Sequence, residues 1–221
     1  MHADGPYSDR SSPGEPDDAA SLPLVLASAS PRRRELLARL RLPFTALAAD
    51  VDEQPHPGES ARALALRLAR AKAAAGAALR PHSVVLAADT VVTHQGRIYG
   101  KPGSPEEARQ MLRELRGDRH EVITGVCVQA AGRPPLLAAT CTDVWMRAYS
   151  DAEIAAYVES GEPFDKAGGY AIQNGRFRPV ARIRGCYTNV VGLPLCLTRA
   201  LLRAAGVRLR AGTTVCEHAG T

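Results

Sequence analysis

Three short segments of the chain carry side chains whose types and spacing suit phosphate chemistry. Ser28-Ala29-Ser30-Pro31-Arg32-Arg33 stands where an apolar run gives way to a helical pattern. Free backbone N–H groups, hydroxyls and the positive end of a helix dipole favour an anion at such a junction. Two arginines in a first helical turn are unfavourable for an isolated helix, but a bound polyphosphate offsets that, because guanidinium forks pair with phosphate oxygens. The competing reading is a capped helix with solvated arginines. Ala87-Ala88-Asp89-Thr90 places a carboxylate directly after an apolar strand, where it could hold a metal or activate water. The alternative is an aspartate that caps the next turn. The glycine-rich stretch from Gly161 to Gln173 brings Asp165, Lys166, Tyr170 and Gln173, which could all point inward, or it is a plain loop. Lys72 and Lys101 are single lysines of a kind that is usually solvated, with its stem over apolar neighbours. Familiar signatures are missing: no G-x-x-x-x-G-K-[ST], no G-x-G-x-x-G after a strand, no histidine cluster and no G-x-S-x-G.

These segments need a scaffold, and the hydrophobic pattern supplies one. Leu22 to Ala27 fits a buried strand, and Ser30-Pro31 caps and opens a helix. Phe44 to Ala49 reads as a strand leading into Asp50-Val51-Asp52-Glu53. From about Glu59 to Leu79, the positions Leu64, Leu68, Ala71, Ala75 and Leu79 recur at helical spacing. Val84 to Ala88 is a buried strand, and Gln95-Gly96 joins Val91–Thr93 to Arg97–Tyr99 as a hairpin. Ser104-Pro105-Glu106-Glu107 opens a helix to about Arg116, and Ser150 with Glu153 opens another to about Glu159. Between them lie β stretches from His120 to Ala130 and from Leu136 to Tyr149. A strand near Ala181 to Gly185, a turn, and a helix from Pro194 to Ala205 complete the pattern, which is that of an α/β domain with a mixed sheet.

Bulk properties narrow the function. The 221 residues suffice for one well-buried core or two small lobes around one cleft. Residues 1–21 hold five acidic side chains against Arg10 and almost no large apolar group, so they read as a disordered acidic extension. The domain spans 22–206, and 207–221 reads as a loose tail. The net charge of +5 therefore understates a basic body, which suits an anionic partner. Cys127, Cys141, Cys186, Cys196 and Cys216 form no C-x-x-C pair and mostly sit in apolar runs, so they are expected as reduced, buried thiols in a cytoplasmic protein. No apolar run reaches the roughly 20 residues of a membrane span.

Taken together, the segments resemble the Maf family of nucleotide pyrophosphatases. The matching stretches are Leu26-Ala27-Ser28-Ala29-Ser30-Pro31-Arg32-Arg33, Ala71-Lys72-Ala73, Ala88-Asp89-Thr90-Val91-Val92 and Gly100-Lys101-Pro102. They continue in His120-Glu121-Val122 with Thr124-Gly125-Val126, in Gly161-Glu162-Pro163 with Asp165-Lys166-Ala167-Gly168, and in Tyr187-Thr188-Asn189-Val190-Val191-Gly192-Leu193-Pro194-Leu195. The likeness covers residues 23–205 in order. It implies a mixed twisted sheet in two lobes around a central cleft, related to the house-cleaning inosine triphosphatases. It also implies hydrolysis of the α–β phosphate bond of nucleoside triphosphates with Mg²⁺ or Mn²⁺. Carried over by position, Asp89 becomes the general base. Ser28, Arg33, Lys72 and Lys101 line the phosphate path, and Arg32, Thr90 and Gln173 set base specificity. Glu53, with Asp89, helps hold the metal. Asp89 is left open as either base or metal ligand. The stretch from Asp165 to Gln173 resembles the branch that prefers dTTP and UTP, whereas Asn174-Gly175-Arg176-Phe177 departs from that branch's glycine-rich continuation. A homodimer follows from the resemblance alone. The rival reading is a non-catalytic nucleotide- or nucleic-acid-binding protein acting in cell-division control. Scarce aromatics, three Phe, six Tyr and one Trp, argue against single-strand nucleic-acid binding.

Overall fold

The computed structural model describes residues 22–209 and 218–219; the expected acidic extension over 1–21 and most of the expected tail lie outside them. Leu24–Ala27 (β1) is buried at every position and leads into Pro31–Ala38 (α1), whose cap, Ser30, accepts from the Arg33 amide. Phe44–Leu47 (β2) precedes Ala61–Leu79 (α2), the longest helix described. Val84–His94 (β3) turns through Gln95-Gly96 into Arg97–Tyr99 (β4), and both turn residues have positive φ, as a tight two-residue hairpin requires. Pro105–Leu115 (α3), Arg119–Ala130 (β5), Leu136–Met146 (β6) and Asp151–Glu159 (α4) follow. Two short 3-10 turns, Glu162–Asp165 and Ala167–Gly169, lead to Val180–Cys186 (β7), Tyr187–Val191 (α5), Leu195–Ala204 (α6) and the two-residue strand His218–Ala219 (β8).

The strands form a mixed sheet in the order β2-β1-β3-β5-β6-β7-β8, with β4 on the free end of β3. Both pairings of β1 are parallel; the others are antiparallel. Because side chains alternate across a strand, β3 presents Val85, Ala87 and Val91 to one face. There they meet Leu64, Ala65, Leu68, Ala69 and Ala73 of α2. Its other face carries two separate apolar clusters. Leu86, Ala88, Val126 and Val128 pack with Leu36, Leu37 and Leu202, while Val92 and Val122 pack with Leu112, Leu115, Ile154 and Tyr157. Between these clusters the same face bears Thr90 and Thr124, paired across β3 and β5. Two apolar cores divided by a polar rung are the two lobes.

The register opens a cleft between them. One edge of β3 pairs with β1 from Val84 to Leu86 and with β4 from Val92 to His94. Among the described residues, no strand covers that edge from Ala87 to Val91. Asp89 and Thr90 stand in this bare stretch and point to opposite faces.

Several sequence expectations need correction. Asp89 does not follow a strand: β3 continues through it to His94, since Asp89 and Thr90 keep their pairing with β5. The buried face of α2 runs through Ala61, Leu64, Ala65, Leu68, Ala69, Lys72, Ala73 and Gly76, while Leu79 is 58% exposed. Alanine-rich helices leave the face ambiguous, and the close approach of Gly76 to Ala27 and Val85 decides it. The turn expected before the last helix contains α5. The thiols also differ from expectation: Cys127 and Cys186 are buried, whereas Cys141 is exposed on β6. Cys196 is disulfide-bonded, on the exposed side of the first turn of α6, where an apolar neighbourhood in sequence is not burial in space. Cys216 lies outside the described residues. No described helix is long and apolar enough to cross a membrane.

Candidate active site

The cleft between the lobes has a volume of about 730 Å³ and is lined by all nine residues singled out above: Ser28, Arg32, Arg33, Glu53, Lys72, Asp89, Thr90, Lys101 and Gln173. They come from six separate segments, so the sheet register and the packing of α2 bring them together.

Its floor is built on β3. Asp89, 7% exposed, faces α2, where the helix register places Lys72 on the buried side. The Lys72 ammonium lies 2.6 Å from Asp89 Oδ1 and 2.5 Å from Glu53 Oε1. For Glu53, desolvation is the largest single influence and works upward. The hydrogen bond and charge of Lys72, with Lys101 and Arg33, outweigh it and hold the carboxyl below its ordinary range.

On the other side of β3, Arg33 is fixed at three points. Its Nε donates to Gly192 O at 2.9 Å, Nη1 to Ser28 Oγ at 3.5 Å and Nη2 to Thr90 Oγ1 at 3.2 Å. A guanidinium has five N–H groups, so one on each terminal nitrogen remains for a ligand. Burial lowers its pKa from the usual value, while Asp89 and Glu53 work the other way. Gly192 sits at φ +124, and a side chain there would meet Thr90 Oγ1 at 3.5 Å and Arg33 Nε at 3.7 Å. Ser28 Oγ also accepts from the Ser30 amide, which ties the β1–α1 corner.

The rims are more open. Arg32 reaches across the mouth to Asp165 Oδ2 at 3.1 Å. Asp165 also contacts Lys166 at 2.5 Å; desolvation again pushes upward most, but Lys166 and Arg32 leave the carboxyl lowered. Lys101 is exposed just past β4, where Gly100 O accepts from the Gly168 amide and joins that corner to the 3-10 turns. Gln173 is exposed at the end of a wall whose backbone is held from behind: Tyr170 OH pairs with buried His120 Nε2 at 2.7 Å, and the Ala171 amide donates to Tyr157 OH. The departure at Asn174 is a capped turn, because Asn174 Oδ1 accepts from the Arg176 and Phe177 amides, and Phe177 stacks on Tyr157.

Glu53 and Asp89 converge on one cation position, now filled by an ammonium. Two carboxylate oxygens directed at one point would suit a hard divalent cation, which takes oxygen ligands. Among the described residues, no group of three or more His, Cys, Asp or Glu could form an all-protein metal site. Sequence reasoning gave no role to Thr124 or Asn189 and did not foresee the ion pair between Arg32 and Asp165. The polar residues inside apolar runs, Thr124 in β5 and Asn189 before Gly192, were the signal.

The chain is similar to several known proteins. A family model described as "Maf-like protein" matches residues 23–205. A dTTP/UTP pyrophosphatase of Thermomicrobium roseum is 56% identical over 184 residues, covering 83% of this chain and 84% of the relative. One from Anaeromyxobacter dehalogenans is 53% identical over 189 residues, covering 84% of this chain and 95% of the relative. The solved structure of the Staphylococcus aureus Ham1 protein overlays with a TM-score of 0.44 at 14% identity, covering 82% of this chain and 98% of that one.

Proposed function

Because the chain belongs to the family of Maf-like proteins, we propose that it is a nucleoside triphosphate pyrophosphatase that splits the α–β phosphoanhydride bond of dTTP and UTP to the monophosphate and pyrophosphate. The observation that carries the reading is the meeting of Asp89, Lys72, Glu53 and Arg33 at the uncovered stretch of β3. A triphosphate carries close to four negative charges, and attack on phosphorus succeeds where these are compensated and water is partly excluded. Arg33 offers its two remaining N–H groups to phosphate oxygens, and Lys101 adds a flexible charge on the rim. Lys72 shifts from its carboxylates toward the incoming phosphates. Asp89, so released, takes the proton of the attacking water as its oxygen bonds to the α-phosphorus. The bond to the bridging oxygen breaks, and pyrophosphate leaves with the electron pair, its charge met by the same cations.

Glu53 and Asp89 are the residues that would hold Mg²⁺ or Mn²⁺. When bound, such an ion supplies further neutralisation of the phosphates and a more acidic water. Preference for thymine and uracil is supported by the names of relatives at 53–56% identity and by the placement of Arg32, Thr90 and Gln173 on the cleft wall. The test is pyrophosphate release from dTTP, UTP, CTP, GTP and 7-methyl-GTP with either metal. The first two should turn over fastest. Asp89→Asn should lower kcat by about 10²–10⁴-fold, the usual contribution of a general base. An Asn variant as fast as wild type would overturn the assignment.

A further inference from the structure

Thr124 lies in the middle of β5, fully buried, on the face where Val122 and Val126 are core residues. A valine would fill that position equally well, and burying a hydroxyl is unfavourable unless it is hydrogen-bonded. Its partners settle which way its proton points. Thr124 Oγ1 donates to Asn189 O at 3.1 Å. A hydroxyl has one proton, so in the 3.0 Å contact between Thr124 and Thr90 the donor is Thr90. The Thr90 proton is then committed as well and cannot serve Gly192 O, which is 3.5 Å away. Thr90 Oγ1 is left as a pure acceptor toward Arg33 Nη2. The result is a one-way chain of donors from Arg33 to Thr90, to Thr124, to the Asn189 carbonyl.

The far end of the chain is anchored. Asn189 is fully buried, and its amide donates to Val122 O and Thr142 Oγ1, both at 2.9 Å. Thr142 Oγ1 in turn accepts from the Cys186 amide and donates to Cys186 O. The same short helix, α5, is capped by Gly192, whose carbonyl holds Arg33 Nε. Two arms from one rigid turn therefore grip one guanidinium. Without the Thr124 hydroxyl, the Thr90 proton loses its acceptor and turns to Gly192 O, competing with Arg33 for it.

We propose that Thr124 is a positioning residue that fixes the phosphate-facing orientation of Arg33 through the Thr90 hydroxyl, without touching the substrate. The proposal rests on the triphosphate reading above.

The test is steady-state hydrolysis of dTTP by wild type and by Thr124→Val, Thr124→Ser and Thr124→Ala. The two smaller variants provide a hydroxyl-dependent comparison even if the valine variant folds poorly. Loss of the hydroxyl should raise KM about tenfold and change kcat less than about threefold, the pattern of a lost ground-state contact to a charged group. Thr124→Ser should stay near the wild-type KM. In an Arg33→Ala background the same substitutions should change KM less than about twofold, because the group they orient is gone. Equal KM values for the serine and alanine variants, or an undiminished effect without Arg33, would reduce Thr124 to a packing residue. Should wild type release no pyrophosphate from any triphosphate, the functional reading itself fails, independently of Thr124.

Discussion

The Lys72 ammonium contacts Glu53 Oε1 at 2.5 Å and Asp89 Oδ1 at 2.6 Å, so a single positive charge compensates two carboxylates. Its pair with Asp89 is buried, and removing one member of such a pair typically costs about 3–5 kcal/mol, because the other charge is left uncompensated. The Glu53 arm is half exposed and adds little strength, but it gives the pair a pH signature. A carboxyl held below its ordinary value contributes stability that is present above the ordinary carboxylate range and lost as pH falls through the lowered value. Lys72→Met should therefore melt well below wild type at about pH 7, with the Glu53 share of the gap fading as pH falls below the ordinary carboxylate range. Melting curves of both proteins across that range are the measurement; equal melting temperatures at about pH 7 would mean that Lys72 is solvated and that its contacts contribute nothing. This site was legible only in part. Arg32, Arg33 and Asp89 carried local signals, since arginines at a helix start and an aspartate in an apolar run both call for a reason. Lys72 and Lys101 did not, because where a lone lysine goes depends on how its element packs. They could be placed only through the family resemblance. Thr124 and Asn189 went unread because a polar residue in an apolar run does not name its partner.

What brings Lys72 to Asp89 is the way α2 lies on the sheet, and that contact has almost no slack. A Cβ added at Gly125 of β5 would sit 2.3 Å from the Ala65 carbonyl oxygen and 2.6 Å from its carbon, both backbone atoms that cannot move aside. Lys72 is two turns further along the same helix face. Gly125→Ala should therefore lift the helix from the sheet as well as overpack it. Overpacking of about 1–3 kcal/mol corresponds to roughly 2–12 °C in Tm for a chain of this size, and kcat/KM should fall further than that loss of folded protein explains. Gly175, with open space around its Cβ position and no positive φ, provides the control: Gly175→Ala should leave Tm and kcat/KM unchanged. If the Gly125 variant melts early but turns over normally once folded, the packing of α2 and the position of Lys72 are uncoupled. Elements with hard local punctuation were readable from the chain alone. Ser-Pro and Ser-x-x-Glu fixed the starts of α1, α3 and α4, and Gln95-Gly96 fixed the β3–β4 hairpin. The buried face of α2 was not, because runs of alanine leave the hydrophobic period without phase until a sheet is laid against it. Nor was α5, whose five residues are too few to show a period.

The two apolar clusters on one face of the sheet raise the question whether the lobes behave as separate units. The strands between them answer it. β3 and β5 are paired at ten consecutive positions, from Val84 with Ala130 to Thr93 with Glu121, so each strand belongs to both lobes. The opposite face is covered along that length by the single helix α2. Unfolding the lobe built on α3 and α4 would strip one face from strands that the other lobe also uses, and would leave their backbone groups without cover. Asp89 and Thr90 thus sit on a continuous spine, and movement on ligand binding is left to the rims, where Arg32 and Asp165 meet across the mouth. The two cores should therefore melt together. Leu112 belongs to one cluster and Leu202 to the other, and both are fully buried. Truncating either to alanine should cost about 2–5 kcal/mol and shift one calorimetric transition downward without splitting it. Hydrogen exchange in either variant should accelerate in both lobes at once, with the β3 and β5 amides remaining the slowest. Two resolved transitions in Leu112→Ala, with exchange confined to α3 and α4, would mean that the spine does not couple the lobes. Asp89 would then stand at a hinge and not on a rigid floor.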